Sequence, residues 1–179
     1  MKIAIISDTH GNVANLKKAV NWINKENIRV ILHCGDIGNP ESLKESLVDF
    51  KGELFGVLGN MDNGISVRAG LHSGWKTEEY NKISGVKITS EICEIELDKK
   101  KIAITHKPED AKVLAESGKY DVVFYGHTHK PWEEQIPSGS GSCHMINPGE
   151  LAGQFYKPTF AIYDTQSGKL ELKILEMLD

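Results

Sequence analysis

The chain has 179 residues and a formal charge of −4 at neutral pH. That length favours one domain whose core needs no covalent staples, and the acidic balance argues against bulk nucleic-acid binding while leaving room for one nucleotide in a pocket. Cys34, Cys93 and Cys143 are far apart and form no CxxC pair, which suits a reducing compartment with Cys34 and Cys93 as core thiols.

The N-terminal apolar run is too short for a signal peptide and is interrupted by Asp8. No stretch approaches the ~20 apolar residues of a membrane span, so no membrane partner is expected and the cytoplasm is the expected location. Lys2–Ser7 reads as a buried strand. Val13, Leu16, Val20 and Ile23 recur at helical spacing behind Asn12, a suitable N-cap. Arg29–His33 is a second apolar strand. Asn39-Pro40 opens another helix, with Leu43, Leu47 and Phe50 as its buried stripe. Leu54–Leu58 is a third strand. The rhythm predicts a parallel sheet with right-handed crossovers.

Residues Asn63–Asn81 mix Gly, Ser, Arg and Trp and read as a helix-bearing loop or flap. Cys93, Ile95 and Leu97 then alternate with Glu94 and Glu96, the pattern of a half-exposed strand. Lys101–Thr105 forms another strand, and a short helix follows Pro108 with Ala111, Leu114 and Ala115 inward. Asp121–Tyr125 is a further buried strand. Short β segments lead to a terminal hairpin, Thr159–Asp164 and Leu170–Leu175, turned at Gln166-Ser167-Gly168. Ser138–Ser142 reads as a flexible hairpin loop.

The chemically active residues cluster where the apolar runs stop. The strand endings are Asp8-Thr9-His10, Gly35-Asp36, Gly59-Asn60-Met61-Asp62, Thr105-His106 and Gly126-His127-Thr128-His129. Ligands of open α/β sheets sit at the carboxyl ends of the strands, so these endings are expected to converge on one cleft. Asp, His and Asn without thiolate are the donor types of borderline divalent metals. Gly35, Gly59 and Gly126 would let the backbone turn sharply there. Taken singly, each piece has a bland reading as a cap, a turn or a loop histidine. Their recurrence at successive strand ends does not.

In order, these motifs resemble the signature of the calcineurin-like metallophosphoesterase superfamily. Chain size, Met61-Asp62 and Asn147-Pro148-Gly149 resemble its small single-domain phosphodiesterase branch. The resemblance implies a four-layer α/β/β/α sandwich spanning residues 1–179 as one domain, with two divalent metals between the sheet ends. One ion would be held by Asp8, His10, Asp36 and His129, the other by Asp36, Asn60, His106 and His127. Manganese is the first choice, with nickel, iron or zinc compatible. Asp36, Asn60 and Asp62 are the candidate catalytic positions, and Asp62 is expected to orient a ligand histidine. The implied reaction is hydrolysis of a small or activated phosphodiester by a hydroxide shared between the metals.

Two departures stand out. Many members carry His directly after the ligand Asn, where this chain has Met61, so the usual general acid is missing. Lys107 stands where small relatives often have Gly, and solvation is its expected state. His33, His144 and Cys34 are expected to be structural, and His72 and Trp75 to be flap residues. The rival readings are a protein-binding scaffold with a vestigial metal site, weakened by the complete ligand set, and a phosphomonoesterase, weakened by the lack of a further donor at Met61. A homo-oligomer is left open.

Overall fold

The computed structural model describes residues 1–62, 74–139 and 141–178. Two sheets are stacked face to face. The first has the order β11-β10-β1-β2-β3-β4 and the second β5-β6-β7-β9-β8. In the first, β1 (Lys2–Ile6), β2 (Val30–His33), β3 (Glu53–Val57) and β4 (Val86–Thr89) run parallel. The hairpin β10 (Thr159–Asp164) and β11 (Leu170–Ile174) is laid antiparallel along β1. In the second, β6 (Lys100–Ile104), β7 (Val122–Phe124) and β9 (Gly141–Asn147) are parallel, flanked antiparallel by β5 (Cys93–Leu97) and β8 (Trp132–Ser138).

Strand periodicity decides which layer each side chain enters. Ile3 and Ile5 face the second sheet, meeting Ile104, Phe124 and Ile146 in the inter-sheet core. Ala4 and Ile6 face the opposite way, onto Leu16, Val20 and Ile23 of α1 (Val13–Lys25), Leu43 of α2 (Pro40–Ser46) and Tyr80 of α3 (Thr77–Tyr80). Ala103, Val123 and Met145 make the third core with Ala111 and Ala115 of α4 (Pro108–Glu116). The result is the expected α/β/β/α sandwich.

Both predicted caps form. Asn12 accepts from the Asn15 amide at 3.1 Å, and Asn39 from Ser42 at 2.8 Å, with Pro40 in the first helical turn. Helix α2 is shorter than its apolar stripe suggested. It ends at Ser46, and Leu47 and Phe50 reach the core from the turn beyond it. The segment assigned to a flap contains α3 and leads into β4, a strand the sequence pattern did not reveal. The expected hairpin loop at Ser138–Ser142 falls at the end of the β8–β9 hairpin, where Ser138 pairs with Gly141 and Pro137 with Ser142, and Ser140 lies outside the described residues. All three cysteines are free and buried. Among the described residues no helix is long and apolar enough to cross a membrane.

Candidate metal centre

The parallel strands β1, β2 and β3 of one sheet and β6, β7 and β9 of the other end on the same side. Their C-terminal turns carry Asp8 and His10, Asp36, Asn60, His106, His127 and His129, and Glu150, respectively. All seven predicted metal-binding residues are thereby brought together. One ligand atom from each of Asp8, His10, Asp36 and His129 lies within 4.8 Å of the others. A second group adjoins it: Asn60 Oδ1 lies 2.9 Å from both His106 Nε2 and His127 Nδ1, and Asp36 Oδ1 lies 3.5 Å from His106 Nε2. The other Asp36 oxygen is 3.9 Å from His10 Nε2. Asp36 therefore turns one oxygen to each group.

The backbone is bent at the functional residues themselves. Asp8, His10, Asp36, His127 and His129 all have positive φ, between 44° and 69°. Left-handed backbone at a residue other than glycine is unfavourable and persists only where the surroundings impose it. Of the three glycines expected to make the turns, Gly35 has positive φ, while Gly59 and Gly126 do not. Their role is to leave space. A Cβ on Gly59 would lie 2.1 Å from Asp36 Oδ1, and one on Gly126 2.0 Å from Ser7 Oγ.

Hydrogen bonds fix which atoms face inward. The His106 Nδ1–H donates to the Cys34 carbonyl at 2.8 Å, leaving the neutral ring's Nε2 lone pair towards Asn60, Asp36 and His127. The His129 Nδ1–H donates to Glu150 at 3.2 Å, so its Nε2 lone pair points at Asp8 Oδ1, 3.4 Å away, and at His10 Nε2, also 3.4 Å. Asp8 Oδ2 accepts from the Ser7 hydroxyl and the His127 amide. Asp8 Oδ1 is buried with no hydrogen-bond partner among the described residues. Convergent lone pairs around an orphaned carboxylate oxygen are unfavourable unless a cation lies among them. This nitrogen-and-oxygen donor set fits a divalent metal.

The electrostatics show the same crowding. Burial pushes the Asp8 carboxyl up to about 6. Burial also works against the charged form of Asp36, but the His106 imidazole outweighs it and holds that carboxyl below its ordinary value. His106 is raised, because Asp36 more than offsets its burial. Burial lowers His10 and His127.

The Asp62 carboxylate is fully buried. It accepts backbone N–H groups from Gly59 (2.8 Å), Gly38 (2.9 Å) and Ile37 (3.0 Å). Both oxygens tie the β2 turn, which carries Asp36, to the β3 turn, which carries Asn60. The Met61 side chain is 47% exposed, and its amide donates to Asp36 Oδ1. Lys107 is exposed, as expected, and lines a cleft of about 160 Å³ with Asn60, His106, Ser90, Glu91 and Asp110. His33 and Cys34 are structural and buried, and burial raises the Cys34 thiol well above its ordinary value. His144 pairs with Glu133 across the β8–β9 hairpin. Trp75 packs partly buried against the first core, and its amide donates to the Asp62 carbonyl. His72 lies outside the described residues.

Sequence reasoning missed Glu150 and gave Asn147 no role. Asn147 donates to the Gly126 carbonyl and to Thr128, bracing the turn that carries His127 and His129. The signal available was Asn147-Pro148-Gly149 at the end of an apolar run.

Comparison with known proteins agrees with this architecture. A phosphodiesterase of Methanocaldococcus jannaschii is 33% identical over 180 residues, covering 98% of this chain and 100% of its own length. Phosphodiesterase YfcE of Escherichia coli K12 is 24% identical over 168 residues, covering 85% of this chain and 80% of its own. A solved structure of an archaeal phosphodiesterase superposes with a TM-score of 0.81 at 30% identity, covering 97% of this chain and 99% of that one. The sequence pattern of the calcineurin-like phosphoesterase superfamily domain matches residues 1–168. That span includes every strand ending that contributes to the centre, and the chain belongs to this superfamily.

Proposed function

We propose that the protein is a metal-dependent phosphodiesterase that holds two divalent ions, one through Asp8, His10, Asp36 and His129 and the other through Asp36, Asn60, His106 and His127. The observation that carries this reading is the pair of lone-pair clusters sharing Asp36, which offers one oxygen to each. Manganese is the favoured ion, since a histidine-rich shell suits it better than magnesium, which prefers oxygen and keeps its water. When bound, the ions supply Lewis acidity that activates water and offsets charge on the phosphoryl oxygens.

The chain's own residues hold and orient. The Cys34 carbonyl and the Glu150 carboxylate each fix a histidine tautomer, so that lone pairs rather than N–H groups face the centre. Asp62 holds the turns carrying Asp36 and Asn60 in register. The polar cleft beside Asn60 and His106 has room for one small ester arm. The thioether of Met61 cannot donate a proton. With no acid at that position, the leaving oxygen departs as an anion or takes its proton from water, which favours activated diesters. The complete set of inward-facing donors supports an enzyme over a scaffold of the same fold.

The test is metal analysis of the purified protein, combined with hydrolysis of bis(p-nitrophenyl) phosphate in chelator, magnesium and manganese. Activity is expected with manganese and little with magnesium. A protein that stays metal-free in manganese, nickel and zinc and hydrolyses no diester would overturn the reading in favour of the scaffold.

A further inference from the structure

Beside the centre, the chain spends a buried carboxylate on holding two exposed aromatic rings in place. Glu150 is fully buried. Besides His129, it accepts the backbone N–H groups of Gln154 (2.9 Å), Phe155 (2.7 Å) and Tyr156. The loop is pinned at its start as well. The Leu151 and Ala152 amides donate to the Ser7 and Asp8 carbonyls, and the Asn12 and Asn15 side chains donate to the Ala152 and Leu151 carbonyls. On this fixed backbone Phe155 is 73% exposed and Tyr156 52% exposed. The Phe155 ring stands 5.0 Å from the His129 ring at 76°. Phe155 belongs to none of the three cores.

We propose that Phe155 is the aromatic wall of a substrate subsite, packing against a planar ring carried by one arm of the phosphoester, with Glu150 as its positioning residue. A rigid ring offers apolar area at little entropic cost, and aromatic pairs gain beyond that area. Position argues for substrate as the occupant, because the ring touches an imidazole whose opposite nitrogen faces the centre. An aryl group and a nucleobase share the required chemistry. The proposal rests on the phosphodiesterase reading above.

The test is calorimetric binding of methylphosphonate, phenylphosphonate and thymidine 5′-phosphate to the manganese-loaded wild type, Phe155→Leu, Phe155→Tyr and Glu150→Gln. The wild type should bind a ring-bearing ligand about 5-fold more tightly than methylphosphonate. Phe155→Leu should erase that preference while leaving methylphosphonate unchanged, and Phe155→Tyr should restore it. Whichever ring ligand shows the preference, aryl or nucleobase, names the substrate group. Glu150→Gln should lose the preference with Phe155 intact and also weaken manganese binding. An equal loss for all three ligands, no ring preference in the wild type, or self-association that Phe155→Leu abolishes in place of a ring effect would each overturn the subsite. Hydrolysis of bis(p-nitrophenyl) phosphate by the wild type is measured alongside. Ring preference without hydrolysis keeps the subsite and removes the diesterase, whereas hydrolysis without ring preference does the reverse.

Discussion

His33 and Thr9 are joined inside the protein by a hydrogen bond of 3.0 Å. The Thr9 hydroxyl donates its only proton to the Ile37 carbonyl, so it accepts from His33 Nε2–H, while His33 Nδ1 accepts from the Gly35 amide at 3.2 Å. These bonds hold His33 in one neutral tautomer between the turns of Asp8 and Asp36. Burial lowers its pKa to about 3. The unfolded chain takes up a proton below about 6.5 and the folded chain does not. His33 therefore contributes full stability above that value and loses it as pH falls, by about 2 kcal/mol at pH 5. His33→Gln should cost about 1–3 kcal/mol at pH 7.5, with the gap from wild type narrowing below pH 6.5. Urea unfolding in chelator across pH 5 to 8 checks this, and a constant gap would refute the neutral assignment.

Asp8 trades stability for binding. In Asp8→Asn, the amide oxygen can take the place of Oδ2, accepting from Ser7 and His127. The amide N–H₂ then faces the His129 Nε2 lone pair. We expect the metal-free variant to be more stable than wild type by about 1–2 kcal/mol, because an unpartnered buried charge becomes a satisfied donor. The rise in melting temperature on adding manganese should vanish with it. A destabilised metal-free variant would mean that Asp8 Oδ1 is not a burden to the fold.

Asp62→Asn should act on stability, with the pH dependence of catalysis left alone. An amide can satisfy fewer of the three backbone N–H groups than a carboxylate. The expected loss is about 2–4 kcal/mol, since charge-assisted bonds are replaced and a buried donor is left facing backbone amides. The pH–rate profile should keep its shape at reduced amplitude. Loss of an acidic limb with unchanged stability would return Asp62 to the catalytic set.

Met61→His tests the missing acid. The backbone bond to Asp36 does not depend on the side chain, so the centre should be undisturbed. A p-nitrophenolate leaves readily, whereas a ribose alkoxide benefits from a proton donor. The variant should gain more on a nucleotide diester than on an aryl diester. Asp62 is fully buried and both its oxygens already accept backbone N–H groups, so it is poorly placed to orient the new ring and the gain should be about 10-fold, below the usual range for a positioned acid. The measurement is kcat/KM for both substrates at equal metal content, and equal gains on both would show that the acid does not belong at this position.

The centre was largely legible because each strand run is broken by a residue that a buried strand end would otherwise avoid. Asp8, Asp36, Asn60, His106, His127 and His129 announced themselves that way. The apolar run Lys2–Ser7 was legible as a buried strand, although which core Ile3 and Ala4 would each enter was not. Glu150 escaped notice because its meaning depends on β9 running parallel to β7. That pairing is long-range and leaves no local pattern, and a glutamate after Pro148-Gly149 reads as loop. The backbone partners of Asp62 were illegible for a related reason, since Ile37 and Gly38 lie more than twenty residues away in the chain. Strand β4 was hidden by its shortness and by the mixed composition before it.

The five left-handed residues of the centre have a consequence for engineering. Each such position costs roughly 1 kcal/mol or more compared with glycine, and each sits where a protein stabilised for its own sake would place glycine or asparagine. A redesign scored only on folding free energy would therefore rewrite Asp8, His10, Asp36, His127 and His129 early, along with the left-handed Asp98 and Lys99, and leave the three cores almost untouched. It would yield a sturdier sandwich from which the chemistry had been edited out. A stabilised version meant to keep its function should freeze the five positions of the centre before any others are varied.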